Sequence, residues 1–150
     1  MKEYLNDIIR YEDGKLYWKK RKKGVTLNKQ IGYIDKTGYR SVRIDGKLWK
    51  EHKIIWIMFN GEIPDGFQID HINRQRDDNR IENLRLLTRS MNLINNSRSN
   101  IYIRQDRTKK YEAHCTFEGK RQYKTFEKKE DAEKWVETFK NSHIDGGYCR

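Results

Sequence analysis

Apolar residues recur along this chain in three rhythms, and each predicts an element. Ala132, Trp135, Val136 and Phe139 fall at i, i+3, i+4 and i+7, one stripe of an amphipathic helix. Residues 111 to 117 alternate instead: Tyr111, Ala113, Cys115 and Phe117 share one face of a strand, while Glu112, His114 and Thr116 share the other. Ile54 to Phe59 is a short continuous apolar run inside a helix predicted from about Glu51 to Asn60. Short strands are predicted at Lys15–Lys19, Ile31–Ile34 and Tyr39–Ile44. The last is closed by Asp45-Gly46, a hairpin turn signal because glycine tolerates positive φ.

Gly61 to Gly66 breaks the apolar helix and holds the only proline, Pro64. A strand, Phe67–Asp70, follows, then a polar loop, His71 to Asn79, that offers a core nothing. A second strand, Leu84–Leu87, leads into a helix to about Asn96, with Thr88 as N-cap because its hydroxyl accepts from a free backbone N–H. Ser97-Arg98-Ser99-Asn100 reads as a linker, and Glu118-Gly119-Lys120 as a turn in a final set of three strands and a helix. There is no internal repeat and no low-complexity tract. The expected fold class is α+β, built of small modules: a β-rich segment over 1–50, a strand–loop–strand–helix unit within 51–98, and a three-stranded sheet with a helix and a short tail over 99–150.

Composition supports small modules. Of 150 residues, 35% are hydrophobic and 37% charged, against usual shares of roughly 45–50% and ~25%. That argues against one large core, while 4 Trp, 9 Tyr and 5 Phe argue against disorder. The formal charge of +11 is spread as +6, +2 and +3 over residues 1–66, 67–98 and 99–150, which excludes a basic tail on a neutral domain and points to a polyanionic partner. The densest cluster, Lys19-Lys20-Arg21-Lys22-Lys23 beside Tyr17 and Trp18, is expected to touch phosphates; a solvated loop or a nuclear-import signal are its other readings. No run approaches the ~20 apolar residues of a membrane span, and MKEYLNDIIRYED has no signal-peptide core. Cys115 and Cys149 make neither a disulfide framework nor a zinc site, so a reduced, cytoplasmic protein is expected.

The chemistry concentrates in the middle. Asp70-His71-Ile72-Asn73 places a carboxylate and an imidazole at the end of a strand, with Asn83 following His71 by 12 residues and Asn92 by 21. Asp and Asn oxygens are hard ligands that suit Mg²⁺. An imidazole near its ordinary pKa of ~6.5 accepts a proton at neutral pH. A hard cation beside a general base on a basic protein suggests phosphodiester hydrolysis. The bland readings are a capped turn at Asp70, structural amides at Asn83 and Asn92, and a packed core histidine at His52. Asn73, Asn79, Asn95 and Asn96 read as polar loop and helix-end residues, and Cys115 as a small hydrophobe.

The stretch IPDGFQIDHINRQRDDNRIENLRLLTRSMNLINN resembles the HNH endonuclease motif in the form found in phage and intron-encoded homing endonucleases. Asp70-His71 matches the family's DH pair, Asn83 its central Asn and Asn92 its last position, an H-N-N variant shared with intron-encoded nicking enzymes. Gly38-Tyr39-Arg40 through His52 and Trp56 resembles the segment that precedes the motif, so the likeness covers about residues 10–96. The resemblance implies a ββα-metal nuclease unit over 51–98, with Asp70 and Asn92 holding one Mg²⁺ (Mn²⁺ being an expected substitute) against the scissile phosphate. By the same resemblance His71 deprotonates the attacking water, Asn83 fixes the imidazole or the loop around it, and Arg85 is a candidate phosphate contact. The products would be a 5′-phosphate and a 3′-hydroxyl.

Residues 99–141 are similar to the AP2 DNA-binding domain through Ile103-Arg104, Tyr111-Glu112-Ala113-His114 and Thr125-Phe126, with Tyr111 where the family has Trp and Lys124 where it has Gly. That likeness implies a sheet laid in the major groove of double-stranded DNA. Arg104, His114, Thr116, Lys120 and Gln122 match groove-facing positions, or else Arg121 and Tyr123 if the third strand has the opposite parity. Together these features predict a Mg²⁺-dependent DNA endonuclease of homing type acting on double-stranded DNA by a nick or a double-strand break, with a monomer favoured and the oligomeric state open. One competing reading is a DNA-binding regulator with an inactive HNH unit, against which the intact Asp70, His71, Asn83, Asn92 set speaks; another is a non-specific or RNA-directed nuclease, and against RNA the AP2-like sheet speaks, since the A-form major groove is too narrow for it.

Overall fold

The computed structural model describes residues 1–20, 27–96, 101–103, 108 and 110–144. The expected linker 97–100, Arg21, Lys22, Lys23, Arg104 and Cys149 lie outside them. By packing, the chain divides into two units, Met1–Leu86 and Leu87–Arg150.

In the first unit, helix α1 (Lys2–Ile8) runs into the hairpin of β1 (Ile9–Glu12) and β2 (Lys15–Trp18), paired antiparallel. The Asp13-Gly14 turn needs positive φ at both residues, 45° and 76°. A Cβ on Gly14 would come within 2.8 Å of the Arg80 backbone nitrogen, so this turn and the loop before Ile81 fit only with glycine there. Strands β3 (Tyr33–Ile34), β4 (Arg40–Ile44) and β5 (Lys47–Lys50) form an antiparallel sheet, with Asp45-Gly46 as its expected hairpin turn.

Helix α2 (Glu51–Asn60) follows without a gap, and Gly61, at φ 87°, ends it. Its buried positions Ile54, Ile55, Ile57 and Met58 meet Leu5, Ile8, Ile9, Leu16, Val42 and Ile44 in one core. Residues 1–50 and α2 are thus held by the same apolar contacts. Strand β6 (Phe67–His71) pairs with β7 (Leu84–Thr88), and one turn of 3-10 helix, Ile81–Asn83, leads into β7.

The second unit opens with helix α3 (Arg89–Asn96), whose Met91 N–H donates to the Thr88 hydroxyl at 3.2 Å, the predicted cap. Strands β8 (Ile101–Ile103), β9 (Tyr111–Phe117) and β10 (Lys120–Phe126) make an antiparallel sheet in the order β10-β9-β8. Helix α4 (Lys129–Ile144) lays Ala132, Val136 and Phe139 on Ala113 and Cys115, and Ile94 of α3 completes this core. Cys115 is the small buried hydrophobe expected of it, its thiol pKa pushed up by burial.

Candidate active site

The end of β6 presents Asp70 and His71 in succession. Alternation sends them to opposite sides of the strand, and each meets a different set of partners. Asp70 is half-buried and takes the Arg85 guanidinium of the neighbouring β7, Nε and Nη2 each 2.9 Å from Oδ2. Arg85, expected to touch phosphate, is thus paired to the expected metal ligand and is itself only 15% exposed.

His71 is buried, and its Nε2 lies 3.0 Å from Asn79 Oδ1. The Asn79 amide, 1% exposed, donates in turn from Nδ2 to Glu51 Oε2 at 3.0 Å. Arg40 Nε approaches the same carboxylate oxygen at 3.4 Å. Glu51 stands at the start of α2 and is fully buried; burial pushes its carboxyl up to about 7, against the opposing pull of Arg40 and Asn79.

The rings of His52 and Tyr39 bound the imidazole at centroid distances of 5.2 and 5.9 Å, His52 nearly perpendicular to it. His52 is the packed core histidine expected, although its Nδ1 has no hydrogen-bond partner. Burial holds it down to about 3, with the charges of His71, Lys53 and Lys50 acting in the same direction, so it is a neutral wall.

Asn83 holds the loop rather than the imidazole. Its Oδ1 accepts from the Asn73 N–H at 3.0 Å, and its Nδ2 donates to Asn73 Oδ1 at 3.0 Å and to the Asp78 carbonyl at 2.7 Å. Asp78 in turn binds Arg80 at 2.8 Å and 2.9 Å, and this pairing holds its carboxyl down to about 2. The loop that the sequence marks as useless to a core is therefore tied together by its own polar side chains.

The remaining expected site residues stand on other elements. Asn92 lies on α3 in the second unit, half-buried. Lys19 donates to the Asn6 carbonyl at 2.5 Å, and Lys20 pairs with Asp7 at 2.8 Å, so both are tethered to α1. On the second unit's sheet, the register pairs Thr116 with Arg121 and His114 with Tyr123. Residues directly opposite share a face. Lys120 and Gln122, opposite Phe117 and Cys115, are therefore on the helix side and not beside His114 and Thr116. Of the two parities left open for the third strand, the register gives the one in which Arg121 and Tyr123 share the face of His114 and Thr116. Four residues of the site escaped the sequence: Asn79, Glu51, Arg40 and Tyr39. No local spacing could have linked Asn79 to Glu51, which lie 28 positions apart.

A carboxylate and a buried, oriented imidazole stand in succession at the end of a strand, braced by a polar loop, and an imidazole so held is of the kind that can accept a proton in general-base chemistry. Residues 50–94 match the family model HNH_3, described as HNH endonuclease. The matched segment holds Asp70, His71, Asn83 and Asn92. No curated protein matches the chain. Among solved structures, it is similar to one titled "DNA binding and cleavage by the HNH homing endonuclease I-HmuI", at 26% identity and a TM-score of 0.46, over 59% of this chain and 51% of that one. The chain thus covers about half the length of that protein.

Proposed function

We propose that the protein is a Mg²⁺-dependent DNA endonuclease of homing type, with His71 as general base. What supports this above all is His71 itself, buried next to Asp70 in sequence at the end of β6 and held through one ring nitrogen, inside the segment that matches the nuclease family model. The net charge of +11 suits a polyanionic substrate.

The donor set fits a hard cation. Asp70 offers carboxylate oxygen, and Asn92 keeps the ligand role that the motif gives it. Among the described residues, no three His, Cys, Asp or Glu side chains converge. Mg²⁺ needs no such cage, since it keeps several waters and binds through one or two carboxylates. When bound, it supplies stabilisation of charge on the scissile phosphate. His71 takes a proton from a water molecule, whose oxygen attacks phosphorus. The 3′-oxygen leaves and gains a proton from solvent, giving a 5′-phosphate and a 3′-hydroxyl. Asn83 keeps loop 73–78 shaped around this step. The AP2-like sheet of the second unit, with His114, Thr116, Arg121 and Tyr123 on its open face, contributes target choice.

A supercoiled plasmid tests the proposal. Nicked or linear product with Mg²⁺, none with EDTA and none with His71→Ala is expected. Equal cleavage by His71→Ala would sink the base assignment.

A further inference from the structure

The imidazole of His71 can act as a base through only one nitrogen at a time, and which one is decided outside the motif. Glu51 Oε2 receives the Arg40 guanidinium at 3.4 Å and the Asn79 amide at 3.0 Å. Arginine is only a donor, so this oxygen acts as acceptor towards both neighbours. The Asn79 side chain must then turn its NH₂ towards Glu51, which leaves its carbonyl oxygen facing His71. A carbonyl oxygen only accepts. The neutral imidazole therefore carries its hydrogen on Nε2, and the lone pair sits on Nδ1.

Alternatives are closed off by burial. Glu51, Asn79 and His71 are 0%, 1% and 4% exposed, so water does not compete for the chain of bonds. The flanking rings of His52 and Tyr39 oppose a flip of the imidazole.

We propose that Glu51 and Asn79 are positioning residues for the nuclease: the carboxylate orients the amide, and the amide fixes the His71 tautomer with Nδ1 as proton acceptor. The inference rests on the proposed base role of His71. The relay does for this histidine what a directly bonded carboxylate does in a serine hydrolase, where the buried acid holds the ring in its working tautomer. Here an amide is interposed, so the acid lies one residue further from the chemistry.

The test reads the tautomer directly. Long-range ¹H–¹⁵N correlation on the labelled full chain, with the His71 signals assigned by their loss in His71→Gln, should show hydrogen on Nε2 in the neutral ring. Hydrogen on Nδ1 in the wild type would overturn the proposal. Glu51→Leu removes the acceptor altogether, so the Asn79 amide is free to turn over. We expect a mixed or reversed tautomer and single-turnover cleavage lowered about tenfold or more, within the ~10²–10⁴ that loss of the base itself would cost. DNA affinity should not change. A variant that loses thermal stability yet keeps the wild-type tautomer and rate would reduce Glu51 to a structural role and refute the relay. Asn79→Leu, nearly isosteric, breaks the chain in its middle and should show the same pair of changes. Should both variants fail to fold, the wild-type spectrum still decides. The outcomes also separate from those of the nuclease proposal: wild-type cleavage by His71→Gln removes the base role, whereas the tautomer is read without any cleavage.

Discussion

At the scale of single residues, the chemistry of the site is partly visible in the sequence and partly hidden. Asp70 and His71 are legible because they are adjacent and belong to a motif. Their partners are not: Arg85 reaches Asp70 across a strand pair, and Glu51 reaches His71 through Asn79 from another element. Asp70→Asn keeps the shape of the side chain but removes the charge that Arg85 and the cation both need. Cleavage should fall at least ~10²-fold and no longer saturate at the wild-type Mg²⁺ concentration, each 1.4 kcal/mol of lost stabilisation being a factor of about ten. A Mg²⁺ titration identical to that of the wild type would remove Asp70 as ligand.

The neighbours Glu51 and His52 make a second residue-scale prediction, because their titrations oppose. Glu51 is raised from 4.5 to about 7, so the folded state binds more protons than the unfolded between those values, and stability falls as pH rises. His52 is lowered from 6.5 to about 3, so the unfolded state binds more protons there, and stability rises with pH. At about 1.4 kcal/mol for each pH unit of displacement, both ramps are on the order of a few kcal/mol. They offset between pH 4.5 and 6.5. Asp78, lowered to about 2, adds stability that is present above 3.8 and lost only in stronger acid. Denaturation midpoints of the wild type should therefore be nearly flat from pH 4.5 to 6.5. Glu51→Gln should expose the His52 ramp, with stability rising over that interval. A Glu51→Gln curve as flat as the wild type's would contradict the opposed titrations.

At the scale of elements, periodicity carried furthest where an element was long or one-faced. The α4 stripe, the alternation of β9 and the Thr88 cap all stand in the structure as the pattern predicts. The short elements α1, β1 and β5, of 7, 4 and 4 residues, were not legible, since their signal comes from tertiary pairing more than from their own sequences. The parity of β10 was illegible for another reason: KRQYKTF is polar on both faces, and only its register with β9 assigns them. If the open face reads DNA, Arg121→Ala and Tyr123→Ala should each weaken target binding by about 1–3 kcal/mol, while Lys120→Ala and Gln122→Ala change it little. Competition binding against target and scrambled duplexes checks this, and the reverse ranking would refute the facial assignment.

At the scale of the whole molecule, motif and core divide the chain differently. Cuts at 50/51 and 98/99 follow where motifs begin and end. Packing instead breaks the chain between Leu86 and Leu87, because α2 shares its core with residues 1–50 while Ile94 of α3 lies in the core made by β9 and α4. The sequence could not show this, since an eight-residue helix with one strongly apolar face does not say which sheet will bury it. The consequence is testable by truncation. A chain ending at Asn96 retains every motif residue, Asn92 included, but exposes Ile94 and deprives α3 of Ala113, Cys115 and Val136. A helix of that length is marginal alone. The truncated protein should lose the helical signal of α3 and its Mg²⁺-dependent cleavage together, and not merely its target discrimination. It should also lack whatever phosphate neutralisation the 13 basic residues of 97–150 supply, making log K against log[salt] shallower by roughly 0.9 for each phosphate no longer neutralised. Slow but measurable cleavage by the truncated chain, with α3 still helical, would instead mean that the nuclease unit holds α3 without the second core.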